Sequence, residues 1–404
     1  MRLPMRDRQS LTKGLCARYR KARKGTKGVL LDQFVEATGY NRCYARWLLR
    51  NHGRRVAVAP GVFVEGDARR SPPRQRNVTY GPEVLGPLKV LWKMLDYLSG
   101  KRLAPALREV LPRLEALKEI RVNKAVRAKL LRVSPATIDR LLKPERAKHQ
   151  LKGRSHTKPG TLLKHQIPIR TFSDWDQTQP GFLEMDLVGH DGGSTAGDYC
   201  FTLDMTDVAT GWTEQMATLN KAQIHVFSAI DTVRHRLPFP VLGLDSDNGS
   251  EFINEQLLRW CLKEEITFTR SRPYRKNDTC YVEQKNWSIV RRFVGYGRLE
   301  GDASRELLDQ LYSCLHQYNN FFLPSMKLLE KTRDGAKVTR KYDAPKTPYH
   351  RVLASTAIDR KTKTRLTSYY ETLNPAQLNR DIQKLQKEIQ KRVVRPLPDN
   401  GKKK

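Results

Sequence analysis

The sequence predicts a multidomain protein: basic all-α domains at the N-terminus, a central α/β domain, and a basic C-terminal region ending in a helix. Three observations lead there. The formal charge of +33 over 404 residues is unevenly spread, with +27 in residues 1–175, −7 in 176–325 and +13 in 326–404. Apolar residues recur at helical spacing through much of the N-terminal part. Between 176 and 325, apolar runs of strand length alternate with helical stretches. A basic chain points to a polyanionic partner, nucleic acid first. An acidic centre between basic arms suits a metal-dependent nuclease core held on DNA by its flanks.

Taken in order, residues 1–55 read as a helix-turn-helix domain. After a basic first helix starting near Asp7 or Ser10, Leu31, Phe34 and Val35 share a helical face, Thr38-Gly39-Tyr40 breaks it, and Asn41 caps a second helix. That second helix turns Ala45, Leu48 and Leu49 inward and offers Arg42, Tyr44, Arg46 and Arg50 to a DNA groove. Residues 56–84, broken by Pro60-Gly61, Ser71-Pro72-Pro73 and Gly81-Pro82, read as a linker. Residues 85–145 form a second helical domain with a core stripe of Leu85, Leu88, Leu91, Trp92 and Leu95. Its own helix-turn-helix has Ala125, Ala128, Leu130 and Leu131 on one helix and Val133 in the turn. Ser134-Pro135 starts the next helix, and Thr137, Arg140 and Lys143 are exposed on it. Residues 146–175 are a basic linker.

Within 176–325, strands are expected at 182–188, 199–205, 212–217, 241–246 and 266–269, with helices at 222–236, 255–264 and from about Thr279. Three strands, then helix, strand, helix, strand, helix, is the order of a ribonuclease-H-like core. Residues 326–372 are a basic DNA-binding region with strand-like pieces that could form a small β-barrel. Residues 373–404 hold an amphipathic helix (Leu378, Ile382, Leu385, Ile389), suited to self-association or to packing on its own domain, and a basic tail.

The six cysteines are scattered singly with no C-x-x-C pair, so buried free thiols are expected rather than zinc. No apolar run of about 18 residues and no charged-then-apolar leader is present, which fits a cytoplasmic protein.

Three carboxylates dominate the chemistry. Asp186 lies in the strand Phe182-Leu183-Glu184-Met185-Asp186-Leu187-Val188, Asp247 in the turn Ser246-Asp247-Asn248-Gly249, and Glu283 in Tyr281-Val282-Glu283-Gln284-Lys285-Asn286, with 35 residues between the last two. Alone, an Asp-Asn-Gly turn or a helical Glu is commonplace. Together, on these elements, they form an oxygen donor set for Mg²⁺. Two such ions activate an oxygen nucleophile and stabilise charge in phosphodiester transfer. Asp186, on the most rigid element, is expected to bridge them. Asp245, Asp204, Asp207 and His190 are nearer to structural roles.

This frame, with Arg272-Pro273-Tyr274 ahead of the Glu and Glu283-x-x-Asn286 after it, resembles the catalytic core of the integrase/transposase superfamily, the Asp-Asp-(35)-Glu enzymes. The stretch Ser271 to Trp287 is most similar to the bacterial insertion-sequence branch, and the resemblance covers roughly a third of the chain. It implies Mg²⁺ or Mn²⁺, release of 3′-OH ends at a mobile element and their joining to target DNA. It also implies a homodimer or higher oligomer bridging two ends of double-stranded DNA in the bacterial nucleoid. Arg272, Tyr274, Arg275, Lys276, Asn277, Lys285 and Asn286 are the expected DNA contacts of the core. No His-His-Cys-Cys zinc set precedes the core, a departure from retroviral integrases. The alternatives are a catalytically silent DNA-binding regulator and a ribonuclease-H-type nuclease.

Overall fold

The computed structural model describes residues 3–60, 62–65, 79–148, 179–247, 249, 251–252, 254–271 and 280–394. The chain divides into two units, Met1–Thr79 and Tyr80–Lys404.

The first unit packs three helices, α1 (Met5–Lys21), α2 (Lys24–Thr38) and α3 (Arg42–Asn51), around Tyr19, Leu30, Leu31, Phe34, Ala45, Leu48 and Leu49. Gly39 ends α2 with φ 67°, a left-handed conformation that Gly adopts at no steric cost, and its N–H reaches Val35 O. Asn41 then caps α3, its side chain accepting from Cys43 N at 2.9 Å. The segment expected to be a linker holds a hairpin, β1 (Arg55–Ala59) and β2 (Val62–Glu65). Alternating Val56, Val62 and Val64 supply the strand preference that Pro60-Gly61 masked.

The second unit begins with four helices, α4 (Pro82–Met94), α5 (Gly100–Ala116), α6 (Lys124–Arg132) and α7 (Pro135–Arg146). Ser134 caps α7 with Pro135 in its first turn, as the sequence predicts. Ala125, Ala128, Leu130 and Leu131 share α6 as expected; Val126 and Leu130 point inward, while Ala125 and Ala128 are exposed. The larger side chains take the core because burial gain scales with apolar area.

The central sheet runs β5-β4-β3-β6-β7, from β3 (Phe182–Gly189), β4 (Phe201–Asp207), β5 (Thr213–Thr218), β6 (Gly243–Ser246) and β7 (Thr267–Arg270). β3 pairs antiparallel with β4 and parallel with β6. Helices α8 (Gln223–Arg236) and α9 (Glu255–Lys263) join the later strands. After them come α10 (Cys280–Lys285), a π-helical turn (Asn286–Arg291) and the long α11 (Gly301–Phe322). Strand order and helix placement are those of the ribonuclease-H-like core expected.

After α11 the structure departs from the expected irregular segment or barrel. A single hairpin, β8 (Leu328–Asp334) and β9 (Lys337–Tyr342), is followed by α12 (Pro348–Ala354), α13 (Arg360–Thr372) and α14 (Pro375–Arg392), with no barrel among the described residues. Thr347 and Asp359 cap α12 and α13 at their N-termini, fixing helices where Thr-rich composition suggested strands. The apolar stripe of α14 is spent inside its own unit: Leu378, Ile382 and Ile389 are buried in the shared core, and the helix packs on α11. Among the described cysteines, Cys43 is exposed rather than buried.

Candidate active site

The sheet has one polar face. Register places Thr269, Asp245, Glu184, Thr206 and Thr213 in one row across all five strands, and Asp186, Asp204 and Gln215 in the next. Side chains two apart on a strand share a face, so Glu184 and Asp186 project together from β3. Thr269 Oγ1 donates to Asp245 at 2.6 Å, Thr206 and Thr213 hydroxyls meet at 3.0 Å, and Gln215 donates to Asp204 at 3.1 Å.

Asp186 sits at the middle of β3, with its Oδ1 accepting from Leu187 N at 2.8 Å. Because Met185 opposes Ser246 in the parallel pair, the next step of that register sets Asp247 beside Asp186, about 5 Å away by strand spacing. Asp247 closes its own turn by accepting from Gly249 N at 2.8 Å. Burial, and then the charge of Asp247, push the Asp186 carboxyl up to about 8. Burial, aided by Glu251, also raises Asp247.

The helix carrying Glu283 is tied to that same face of β3. Glu184, fully buried, accepts from Tyr281 N at 2.8 Å and Val282 N at 3.1 Å, so its carboxylate meets the N-terminal amides of α10. One turn later Asn286 Nδ2 donates to Asp186 Oδ2 at 2.5 Å. Glu283 lies between these anchors, three positions before Asn286 and hence its neighbour along the helix, with its side chain exposed. Among the described residues, no three carboxylate, imidazole or thiol side chains stand close enough to share one ion. Asp186 and Asp247 are brought together; the third carboxylate stays at the solvent edge of its helix.

Other expected contacts are placed differently. Asn286 is engaged by Asp186. Lys285 turns inward, two positions on from Glu283, and burial pushes its ammonium down to about 8 against the opposing pull of Asp204. Residues 272–279, with Arg272, Tyr274, Arg275, Lys276 and Asn277, lie outside the described residues. Arg42, Tyr44, Arg46 and Arg50 are exposed on α3, Arg42 paired with Asp32. Arg140 and Lys143 are exposed on α7, and Thr137 Oγ1 lies within 3.0 Å of the Ser134 hydroxyl.

His190 is wholly buried, its Nε2 2.7 Å from Thr202 Oγ1, and burial pushes it down to about 3. Asp207 accepts from Gly181 N and Thr210 N, a turn-forming role. Asp204, expected in a turn, instead stands directly across from Asp186 and is held by Thr213 and Gln215. Glu184 was missed by sequence reasoning. The signal available was its i−2 relation to Asp186 in a strand otherwise apolar.

Residues 176–276 match the integrase core domain family. A Sinorhizobium fredii protein, y4rM, described as uncharacterized, is 40% identical over 352 residues, covering 87% of this chain and 96% of its own. Among solved structures, the catalytic core domain of BIV integrase is 20% identical, covering 47% of this chain and 98% of its own, with a TM-score of 0.30. The HTLV-2 integrase catalytic core domain in complex with magnesium is 17% identical, covering 28% and 70%, with a TM-score of 0.24. With that domain match laid over the sheet that carries Asp186 and Asp247, the chain belongs to the integrase/transposase superfamily.

Proposed function

We propose that the protein is a DNA transposase of the bacterial insertion-sequence type, cleaving the ends of a mobile element and joining their 3′-OH groups to target DNA. The observation that carries this reading is the pair Asp186 and Asp247 on adjacent parallel strands, with the Glu283 helix anchored to the same strand at Glu184 and Asp186. The oxygen donor set fits Mg²⁺ or Mn²⁺. Two desolvated carboxylates face each other, and Asn286 Oδ1 beside them is buried without a partner among the described residues. Asp186, Asp247 and Glu283 would hold two such ions, which supply nucleophile activation and charge neutralisation in phosphodiester transfer.

The chain's own residues prepare that site. Asn286 fixes the orientation of the Asp186 carboxylate, and Glu184 fixes the start of the helix from which Glu283 reaches. α3 and α7, with exposed Arg42, Tyr44, Arg46, Arg50, Arg140 and Lys143, would read the element's terminal repeats. The two units would divide this work, the first binding DNA and the second combining further binding with chemistry. A homodimer or larger assembly on DNA, in the cytoplasm, would bring two ends together.

The test is a strand-transfer assay with Mg²⁺ and labelled element ends. Joined products should fall by at least about 10³-fold in Asp186→Asn, Asp247→Asn or Glu283→Gln protein, with end binding retained. Joining that survives in those variants would sink the assignment. The exposed position of Glu283 favours a second reading, a DNA-binding regulator with a silent core. End-specific binding without cleavage at any Mg²⁺ or Mn²⁺ concentration would select it.

A further inference from the structure

The second unit contains a cleft of about 1180 Å³ whose rim includes Trp287, one helical turn beyond Glu283. Its lining carries five cations and one carboxylate, Asp96. That carboxylate is neutralised locally, since Arg292 Nε meets it at 2.8 Å. Lys93, Lys148 and Lys387 are exposed around the cleft, and Lys93 and Lys387 make no ion pair among the described residues. One wall is the amide-rich face of α14, where Gln386 is pinned to Phe293 O at 2.9 Å and Gln383 is exposed. Trp287 itself is 52% exposed, a large apolar surface held open to water. The residue before it, Asn286, touches Asp186, so the helix that meets the carboxylate site with one side turns Trp287 to the cleft with another.

An exposed indole among lysines and side-chain amides matches one ligand chemistry: a base face to stack on the ring, with phosphates for the lysines. A duplex keeps its base faces stacked on one another except at its very ends, so along a strand only an unpaired nucleotide can use the indole. The cleft exceeds the roughly 300–1,000 Å³ of drug-sized sites, room for a short stretch of strand.

We propose that this cleft holds an unpaired DNA segment, with one base stacked on Trp287. The proposal rests on the transposase reading, and adds that the protein prefers element DNA carrying an unpaired segment. The test compares two probes by fluorescence anisotropy, with the full-length protein in EDTA to prevent cleavage. One is a blunt element-end duplex; the other is the same duplex with a short single-stranded flap.

The flap should tighten binding about tenfold, in line with about 1–3 kcal/mol per stacked base. Trp287→Ala should erase that preference, Trp287→Phe should retain most of it, and Lys387→Gln should weaken flap binding alone. Blunt-duplex affinity reports that each variant is folded. Equal affinity of wild-type protein for the two probes, or a flap preference unchanged in Trp287→Ala, would overturn the cleft assignment while leaving the transposase reading intact. Failure to bind either probe would overturn both.

Discussion

The two faces of the central sheet are built on opposite principles. One is apolar: Leu183, Met185, Leu203, Met205, Leu244 and Phe268 are all buried at 5% exposure or less, and their contribution is burial of area. The other places Glu184, Asp204, Asp245, Thr206 and Gln215 at no more than 1% exposure, which costs desolvation unless every group is bonded. The bonds along that face are the compensation, and the groups left over are informative. Asp204 Oδ2, Gln215 Oε1 and Asn286 Oδ1 are buried with no partner among the described residues, all within the polar rows or bonded to them. On the proposed function, unmet acceptors around paired carboxylates are what a cation site calls for, whereas the apolar counterpart contributes burial alone.

The contrast can be broken first with pH. His190 belongs to the polar face and stays neutral when folded, titrating near 3, while the unfolded chain takes up the same proton near 6.5. The His190 contribution is therefore fully present above pH 6.5 and is lost as pH falls toward 3, by about 5 kcal/mol over the whole window. Asp204 and Asp207, held up at about 6 by burial, titrate with the opposite sign, favouring the fold as pH falls through 6 toward 3.8. The reading is thus a difference: denaturant melts of wild type and His190→Gln across pH 4 to 7 should diverge in slope, and parallel curves would remove His190 from the account.

On the apolar face, Leu203→Ala should cost about 3 kcal/mol through a cavity, equally at every pH in that series. A pH-dependent loss there would mean that the faces are not independent. The smallest stability effect, with the sharpest functional consequence, is expected at Glu184. Glu184→Ala leaves the Tyr281 and Val282 amides without their acceptor, about 2 kcal/mol in chemical melts. Strand transfer should fall by roughly 10- to 100-fold beyond that, the usual loss when the support of a ligand-bearing element goes. Glu184→Gln, which keeps an acceptor oxygen, should recover much of the activity; if it behaves like Ala, the anchoring role is wrong.

A different dependence governs Arg298, which is 1% exposed and donates to the carbonyls of Asp191, Ser194, Ala196 and Asp198, closing the loop between β3 and β4. Nothing in the local sequence around Arg298 announces this, since its partners lie about a hundred residues earlier. The anchoring role of Glu184 is illegible for the same reason, although its place beside Asp186 is not: its partners are backbone amides 97 and 98 positions away.

The sequence by itself determined the strands of the core, the caps at Asn41 and Ser134, and the positions of Asp186 and Asp247 at a strand centre and a strand end. These follow from periodicity, capping chemistry and turn residues, which act over a few neighbours. Only the tertiary structure decided that α14 packs inward, that 348–354 and 360–372 are helical, that Lys285 and Asn286 turn toward Asp204 and Asp186, and that an amide-walled cleft opens at Trp287. Each of these depends on which distant surface is available to bury a side chain or satisfy a polar group, and that partner does not exist until the chain has folded.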